Sequence, residues 1–201
     1  MRLILASGNK NKLAEMRKIC GKLGIEVITA ADAGVDMDCE ETGSTFEENA
    51  RIKAEYVMRA SGLPAVSDDS GLEVYTLDNR PGVYSARYGG EGLADNERTA
   101  LLLRELEGVP AESRGARFVS CICCAMPDEN LIEARGECFG TILFSPAGEG
   151  GFGYDPVFFY EDYGMSFAEM TSKQKNSVSH RGSSLELFEK RLSAYLKEVK
   201  L

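Results

Sequence analysis

The sequence predicts an α/β fold built on a mixed β-sheet, because strand-like and helix-like segments alternate along the chain. Residues 3–6 form a short apolar run, and apolar side chains then recur at helical spacing between Leu13 and Leu23. Residues 115–126 are apolar at nearly every position, which is typical of a central strand covered on both faces. Residues 185–199 again place apolar side chains at helical spacing, which predicts a C-terminal helix.

The elements between these segments follow from local signals. Gly24 ends the first helix, a strand is expected over residues 26–29, and residues 31–44 form an acidic loop. Thr45 and Glu48 fit a capping box, which begins a helix that continues to about Ser61. The remaining elements, in chain order, are strands at 64–68 and 72–77 broken at Ser70-Gly71, a Gly-rich loop at 79–92, a helix at 96–106, a strand pair at 115–126 and 131–143 joined by a turn, a second Gly-rich loop at 145–155 and a strand at 157–160.

The composition is that of a globular protein. The chain has 201 residues, of which 43% are hydrophobic and 27% charged, so we expect one domain over residues 1–201, with two lobes. No apolar run reaches the roughly 20 residues that span a bilayer, and the N-terminal run is too short for a signal peptide. We therefore expect a cytoplasmic protein. The net charge of −9 argues against broad binding to nucleic acid or to anionic membranes.

The six cysteines lack the pattern of a disulfide framework or a zinc site. The chain is long for a disulfide-stapled domain, and its only histidine is His180. Three of the cysteines lie inside the apolar segment 115–126. We interpret them as small, buried core residues.

Residues 7–12 connect the first strand to the first helix and form the first candidate site. Small residues let the backbone approach a ligand, and free amides at a helix start, together with lysines, suit phosphate oxygens. An ordinary turn with a capping Asn or Ser explains the same segment. It is not a Walker P-loop, because Gly-Lys-Ser/Thr does not occur in the chain. The candidate phosphate-binding residues are Ser7, Gly8, Asn9, Lys10, Asn11 and Lys12.

Asp68 and Asp69 form the second candidate site, where an apolar segment is expected to emerge from the sheet. Adjacent carboxylates can hold a hard cation, and Glu40 and Glu41 from the acidic loop could complete the set of oxygen ligands that magnesium prefers. A carboxylate can also accept a proton from an attacking water molecule. A solvated turn explains an isolated Asp-Asp pair more simply. Lys53, on the helix that follows the acidic loop, either extends to water or binds a phosphate oxygen or the carboxylates.

Residues 148–156 match the letters G-x-G-x-x-G. A dinucleotide fingerprint needs a helix directly afterwards, whereas a strand is expected here, so we reject it. The alternative is a base pocket in which Phe152 stacks on the ring and Asp155 hydrogen-bonds a ring edge. A flexible hairpin with Phe152 as a core plug explains the segment equally well.

Residues 173–182 place many hydrogen-bond donors just before the last helix. His180 and Arg181 could bind a purine carbonyl, and Lys175 could meet a phosphate. A solvated loop in which Ser179 caps the helix explains the same residues. A Ser-His-Asp triad is discounted, because the chain contains no G-x-S-x-G elbow.

These segments are more specific together than apart. In chain order they read SGNKNK, EETG, FEENA with KA, SDDSGL, PGVYSARY, GFGYDPVF and SHRG. With these motifs the chain resembles, over almost its whole length, the bacterial non-canonical purine nucleoside-triphosphate pyrophosphatases, which are relatives of inosine triphosphatase. The resemblance implies an elongated fold in which a long twisted mixed sheet forms two lobes with the active site in the cleft between them. It also implies a homodimer, Mg²⁺ as cofactor, and hydrolysis of ITP, dITP or XTP to the nucleoside monophosphate and pyrophosphate.

The same resemblance implies a role for each candidate residue. Asp69 is implied as proton acceptor and magnesium ligand, Glu41 ahead of Glu40 as a second ligand, and Asp68 and Lys53 as catalytic support. Residues 7–12 are implied to hold the triphosphate. The rest of the implied substrate-binding set is Ser70, Phe152, Gly153, Tyr154, Asp155, Lys175, His180 and Arg181.

The polarity of the base suggests how such a site would select its substrate. Hypoxanthine and xanthine carry a carbonyl at position 6, where adenine carries an amino group. Donors such as His180 or Arg181 would be left unpaired against adenine, and sites of this type discriminate by about 10⁴-fold. Two alternatives stay open at this point: a Maf-like pyrimidine nucleoside-triphosphate pyrophosphatase, and a non-catalytic nucleotide-binding protein.

Overall fold

The computed structural model describes residues 1–199, and that part of the chain contains eight strands and five α-helices. The strands are β1 (Arg2–Leu5), β2 (Glu26–Thr29), β3 (Ala65–Val74), β4 (Arg80–Pro81), β5 (Gly115–Ala125), β6 (Leu131–Ile142), β7 (Phe158–Tyr160) and β8 (Met165–Ser166). The helices are α1 (Lys10–Lys22), α2 (Phe46–Ser61), α3 (Asp95–Glu105), α4 (Ser172–Val178) and α5 (His180–Glu198).

The strands form one mixed sheet in the order β2-β1-β3-β5-β6-β7-β8, with β4 paired to β3. β1 pairs in parallel with both β2 and β3, whereas β4, β7 and β8 join the sheet in antiparallel pairs. Parallel neighbours need a crossover connection, and α1 and α2 provide the crossovers from β1 to β2 and from β2 to β3. The predicted α/β fold with a mixed sheet is confirmed.

The chain divides into two compact units. Among the described residues, the first comprises residues 1–69, 120–136 and 183–199, and the second comprises residues 70–119 and 137–182. The candidate phosphate, metal and lysine residues belong to the first unit, apart from Ser70 and Lys175. The candidate base-binding residues belong to the second unit.

In the first unit, helices cover both faces of the sheet. Alternate residues of a strand point to opposite faces, so Val66 packs on one side with side chains of α1 and α5, including Met16 and Phe188. Ala65 packs on the other side with Val57 of α2. This alternation along β3 decides which helix each functional side chain of that strand meets.

The predicted capping box sets the start of α2. Thr45 Oγ1 accepts a hydrogen bond from the Glu48 N–H at 3.2 Å, and the Glu48 carboxylate accepts one from the Thr45 N–H at 3.1 Å. Gly62, in the left-handed region with φ of 68°, ends the helix. These local signals fix where α2 begins and ends, and therefore which of its side chains contact the sheet.

The second unit has an aromatic core. The ring of Phe118 lies 4.6 Å from that of Phe158 and 5.7 Å from that of Phe167, measured between ring centroids. Tyr154 is buried in the same cluster. Such contacts contribute both apolar burial and favourable ring geometry, and they give the loop that carries residues 148–156 a rigid support.

The predicted strand break at Ser70-Gly71 is wrong. β3 runs without interruption over ten residues, and Gly71 has no left-handed φ that would turn the chain. Leu72 and Val74 are fully buried in the core of the second unit, so burial keeps this stretch extended. The strand instead ends at Val74, and the predicted strand residues 75–77 form a short 3-10 turn.

The segment 173–182, which we read as a donor-rich loop before the last helix, is helical except at Ser179, because residues 173–178 lie in α4 and residues 180–182 begin α5. α4 spans seven residues, and Thr171 and Gln174 form a capping box at its start. All six cysteines are free thiols and five of them are buried, which confirms the interpretation of the three in β5 as core residues. None of the described helices is long and apolar enough to cross a bilayer.

Candidate active site

The loop between β1 and α1 starts the helix with an asparagine cap. Asn9 Oδ1 accepts hydrogen bonds from the backbone N–H groups of Asn11 at 2.8 Å and Lys12 at 3.3 Å. The N–H of Asn9 donates to Ser7 Oγ at 3.2 Å. The expectation of free amides at this helix start is therefore wrong for Asn11 and Lys12, because the cap occupies their N–H groups.

The Lys12 side chain turns toward the sheet. Its Nζ lies 2.9 Å from Asp68 Oδ1, and the two side chains are only 20% and 7% exposed. Residues 8–11 of the same loop are exposed. The loop can therefore meet an anion through Lys10 and its exposed backbone, while Lys12 offsets the charge of Asp68.

Asp68 and Asp69 lie in the middle of β3, not at a strand end as the sequence suggested. Because successive side chains point to opposite faces of a strand, the two carboxylates separate. Asp68 lies on the face covered by α1, where it contacts Lys12. Asp69 lies on the face covered by α2, 3.6 Å from Lys53 Nζ, and the next residue, Ser70, is half-buried. The adjacent pair is thus divided between two faces and does not form one two-carboxylate cation site.

Lys53 lies between two carboxylates of the first unit. Its Nζ is 3.0 Å from Glu41 Oε1 and 3.6 Å from Asp69 Oδ1, and its side chain is 12% exposed. Of the alternatives for Lys53, contact with the acidic cluster is the one observed. In the segment from residue 33 to residue 43, odd-numbered residues are half-buried and even-numbered residues are exposed. Glu41 therefore faces Lys53 and Asp69, whereas Glu40 is exposed.

The environment of Asp69 fits a hard cation. Burial raises the pKa of Asp69, Lys53 lowers it, Glu41 raises it further, and Asn49 and Lys12 lower it. Its Oδ2 is buried and accepts no hydrogen bond from residues 1–199. A buried carboxylate oxygen without a donor, beside a second carboxylate, suits Mg²⁺, which takes one or two carboxylates plus water and phosphate oxygens. The described residues hold no group of three or more His, Cys, Asp or Glu side chains that could bind a metal.

Two more buried polar groups lie beside Asp69, and sequence reasoning assigned neither of them a role. Asn49 is fully buried one turn before Lys53, and its Oδ1 accepts the Gly43 N–H at 2.8 Å. Ser67 precedes Asp69 by two residues on the same face of β3. Asn49 Nδ2 and Ser67 Oγ are buried without a hydrogen-bond partner in the described chain. The available signals were the spacing of Asn49 and Lys53, which places both on one stripe of α2, and the FEENA motif that contains Asn49.

Phe152 in the second unit is exposed, so it is not a core plug. Its side chain is 67% exposed, and Lys175 Nζ lies 4.5 Å from the centroid of its ring. An aromatic ring held at the surface by a cation is free on its other face to stack on a planar ligand. This exposure favours the base-stacking interpretation over the hairpin interpretation.

Asp155 is buried and holds its own loop together. Its Oδ2 accepts the Phe152 N–H at 2.8 Å and pairs with the Lys175 ammonium. A side chain at Gly151 would collide with the Asp155 carboxylate, so a glycine is required there. Asp155 thus fixes the positions of Phe152 and Lys175, and that oxygen does not point outward to a ring edge.

Gly153 and Tyr154 are also tied to the protein. The Gly153 N–H donates to Asp95 Oδ2 of α3 at 2.8 Å. The buried Tyr154 hydroxyl donates to the Ser85 backbone carbonyl at 2.9 Å. The Tyr154 side chain is buried and its hydroxyl is already bonded within the protein. Its place in the substrate-binding set stays a prediction.

His180 is held as a neutral ring. It stacks on Phe118 with 4.8 Å between centroids and 14° between planes. Loss of solvation, followed by the positive charges of Lys175 and Arg181, lowers the pKa of His180 to about 3. Its Nδ1 is buried and has no partner among residues 1–199, while Arg181 is half-buried beside it. The pair presents a neutral imidazole next to a guanidinium.

The sequence matches the Ham1 family over residues 3–191. It is 48% identical over 92% of its length to the "dITP/XTP pyrophosphatase" of Thermus thermophilus, covering 88% of that protein. It is 46% identical to the "dITP/XTP pyrophosphatase" of Mannheimia succiniciproducens, over 96% of this chain and 98% of the relative. The solved Ham1 protein of Staphylococcus aureus superposes with a TM-score of 0.92 at 36% identity, covering 97% of this chain and 100% of that one.

Proposed function

Because the chain belongs to the Ham1 family, we propose that it is a nucleoside-triphosphate pyrophosphatase that hydrolyses non-canonical purine nucleotides. The substrates are dITP, XTP and ITP, and the products are the nucleoside monophosphate and pyrophosphate. Relatives at 46% to 48% identity over more than nine tenths of the chain are named for this activity. The observation that carries the proposal is the cluster of Glu41, Lys53 and Asp69, in which a buried carboxylate oxygen lacks a donor.

The triphosphate and a divalent cation, which we take to be Mg²⁺, bind at this cluster of the first unit. Asp69 and Glu41 would hold the cation. Glu41 is preferred to Glu40 as the second ligand because Glu40 is exposed. The cation supplies charge neutralisation on the phosphate oxygens when it is bound. Residues 7–12 contact the phosphates through Lys10 and exposed backbone, and Lys12 offsets charge from beside Asp68.

Asp69 acts as the proton acceptor. Burial raises the pKa of this carboxyl and Lys53 lowers it, and a raised pKa makes Asp69 a stronger base than an exposed aspartate. The water molecule gives its proton to Asp69 and its oxygen attacks the α-phosphorus. Lys53 then stabilises the negative charge that develops on the phosphates as pyrophosphate leaves.

The base is recognised by residues of the second unit. Phe152 stacks on the purine, supported from behind by Lys175. His180 and Arg181 donate to the carbonyl at position 6, and the neutral state of His180 fixes it as a donor of one N–H only. Adenine would place an amino group against these donors. ATP is therefore rejected because the donors of His180 and Arg181 find no acceptor, and not because of the size of the base.

A homodimer and a cytoplasmic location complete the proposal. The exposed aromatic side chains of the second unit include Tyr75, Phe139 and Phe144, and exposed apolar groups of this kind favour contact between subunits. Light scattering on the purified protein measures the assembly directly. A mass equal to one subunit at every protein concentration would contradict the homodimer. It would not affect the proposed activity.

An initial-rate panel tests the activity. Inosine, deoxyinosine, xanthosine, adenosine, guanosine, thymidine, uridine and cytidine triphosphates are compared at equal concentration, and monophosphate and pyrophosphate are both quantified. We expect equal amounts of the two products from the first three, and none when the metal is removed with EDTA. Preference for thymidine or uridine triphosphate would instead identify a Maf-like specificity, and binding without product would identify a nucleotide-binding protein.

A further inference from the structure

Three buried polar atoms around Asp69 lack hydrogen-bond partners within the described chain. They are Asn49 Nδ2, Ser67 Oγ and Asp69 Oδ2. Asn49 and Ser67 are fully buried. More than nine in ten buried polar groups in proteins are paired, so three unpaired atoms at one α2–β3 contact are unusual and indicate a missing partner.

The Asn49 carboxamide has a fixed orientation. Its Oδ1 accepts the Gly43 N–H at 2.8 Å, which leaves the two N–H donors of Nδ2 pointing away from that loop. A methyl group at Gly43 would lie 2.6 Å from Oδ1, so the loop backbone packs directly against the carboxamide. The Asn49 side chain lies close enough to Asp69 to lower the pKa of that carboxyl, and neither Asn49 Nδ2 nor Asp69 Oδ2 has a direct hydrogen-bond partner among the described residues.

The polarity of these atoms identifies the partner. Nδ2 is a donor only, and the ionised Oδ2 is an acceptor only. A cation held by Asp69 and Glu41 cannot accept a hydrogen bond from Nδ2, so the molecule that serves both atoms has to accept from Nδ2 and donate to Oδ2. Water does both, and buried water typically makes about three hydrogen bonds to groups that otherwise lack them. Ser67 Oγ, on the same face of β3, provides the third.

We propose that Asn49 is a further catalytic residue, which together with Asp69 holds the attacking water molecule. This inference rests on the proposed function. The water oxygen accepts from Asn49 Nδ2 and keeps a lone pair for the α-phosphorus, while one of its protons points at Asp69 Oδ2. As the new P–O bond forms, that proton passes to Asp69, and the bond from the α-phosphorus to the bridging oxygen breaks. Pyrophosphate leaves with the electron pair.

A purely structural role accounts for the Oδ1 atom of Asn49 but not for its Nδ2 atom. The bond from Gly43 uses Oδ1 and anchors the loop, and an aspartate would accept that bond equally well. A structural role therefore gives no reason for a donor on the side facing Asp69. The substitution Asn49→Asp separates the two roles, because it keeps the acceptor for Gly43 and removes the donor.

Kinetics of two variants test the proposal. For Asn49→Asp we expect kcat for ITP to fall by about 10²-fold, the usual contribution of one positioned group to proton transfer. For Gly43→Ala, whose methyl group would lie 2.6 Å from Asn49 Oδ1 and 2.7 Å from Glu48 Cβ, we expect kcat to fall roughly tenfold. KM, and the affinity measured by calorimetry for a non-hydrolysable α,β-methylene ITP, should stay within about twofold of wild type. A structural role would move KM and affinity together with kcat.

Two controls match these changes. Asn96→Asp makes the same substitution at an exposed position of α3, and Gly21→Ala adds a methyl group to α1 where no atom lies within 4 Å. Both should retain wild-type kcat. If Asn49→Asp keeps kcat within about twofold of wild type, or loses affinity in proportion to kcat, the proposal is wrong.

A crystal structure of the wild-type protein gives a test that does not depend on activity. The proposal requires an ordered water molecule at about 2.7–3.2 Å from both Asn49 Nδ2 and Asp69 Oδ2. A direct bond between the two side chains, with no room for water, would overturn it. A wild-type protein that releases no pyrophosphate from any nucleotide would overturn the proposed function instead, while the crystal structure still decides whether the water is held. If Asn49→Asp fails to fold, Gly43→Ala and the crystal structure carry the test.

Discussion

Lys12 Nζ lies 2.9 Å from Asp68 Oδ1, so the lysine that the loop motif offers to a phosphate is paired with a carboxylate from the sheet. Asp68 is only 7% exposed, so its charge depends on nearby cations for stability. The neighbouring Asp69 lies on the opposite face of β3 and meets Lys53. Two adjacent aspartates thus have different partners on different helices, and substitutions should separate their roles.

The Lys12–Asp68 pair predicts that affinity and stability can be uncoupled. Lys12→Met should weaken ITP binding and, because Asp68 loses this cation, also lower the free energy of unfolding by about 1–3 kcal/mol. The double variant Lys12→Met with Asp68→Asn should recover most of that stability without recovering affinity. Urea unfolding and calorimetry measure the two quantities. A double variant as unstable as Lys12→Met would show that the pair does not carry the effect.

Asp69→Asn is expected to abolish turnover while the fold remains. Removing a general base costs about 10²–10⁴-fold in rate, and the neutral amide also weakens the binding of a divalent cation. Circular dichroism should match that of wild type, and kcat for ITP should fall by at least about 10³-fold. Asp68→Asn, with the same change of atoms on the opposite face, is the matched control and should retain more activity. Equal losses in the two variants would contradict the division of roles.

His180 should stay neutral across the physiological range. Its pKa is lowered to about 3 in the folded protein, below the ordinary value of 6.5, so the unfolded chain binds the proton more readily than the folded one. The contribution of this ring to the free energy of unfolding is therefore fully present above pH 6.5. It falls by about 1.4 kcal/mol per pH unit as the pH drops from 6.5 toward 3.

The single histidine of the chain makes that prediction easy to measure. One imidazole Hε1 signal is expected in the proton spectrum, and its shift should not change between pH 8 and pH 5 in the folded protein. The same signal in the urea-unfolded protein should titrate near pH 6.5. A folded-state midpoint above pH 6 would contradict the buried, neutral ring.

Phe152 and Phe167 should respond differently to truncation. Phe152 is 67% exposed, so Phe152→Ala should leave stability within about 0.5 kcal/mol and raise KM for ITP. Phe167 is 1% exposed in the aromatic core, and Phe167→Ala should cost about 3–5 kcal/mol. Thermal unfolding and steady-state kinetics separate the two. An unchanged KM in Phe152→Ala would exclude base stacking on this ring.

Asp95 should act through Gly153. The Asp95 carboxylate accepts the Gly153 N–H at 2.8 Å and so fixes the peptide that follows Phe152. Asp95→Ala should raise KM for ITP several-fold, because the loop has to be ordered at the cost of binding energy. Asp95→Asn keeps an acceptor oxygen and should restore most of the affinity. If both variants behave like wild type, the bond does not position the base-binding loop.

Local signals determined much of the fold. The Thr45–Glu48 capping box fixed the start of α2, and the apolar run of β5 indicated a central strand, because helix caps and periodicity depend on neighbours in the chain. The break expected at Ser70-Gly71 failed for the opposite reason. There the burial of Leu72 and Val74 by distant parts of the chain outweighs the weak local preference of two small residues.

In the candidate site, too, some features follow from the sequence and others only from the tertiary structure. The sequence determined which side chains are available: the adjacent aspartates, the lysines of α1 and α2, the acidic loop and the aromatic Gly-rich loop. Only the tertiary structure decided that Asp68 meets α1 while Asp69 meets α2, that Glu41 and not Glu40 faces Lys53, and that Phe152 stays exposed. It alone left Asn49 buried with an unused donor. Residue types and spacing are properties of the chain, whereas burial and pairing depend on elements that are far apart in sequence and meet only when the chain folds.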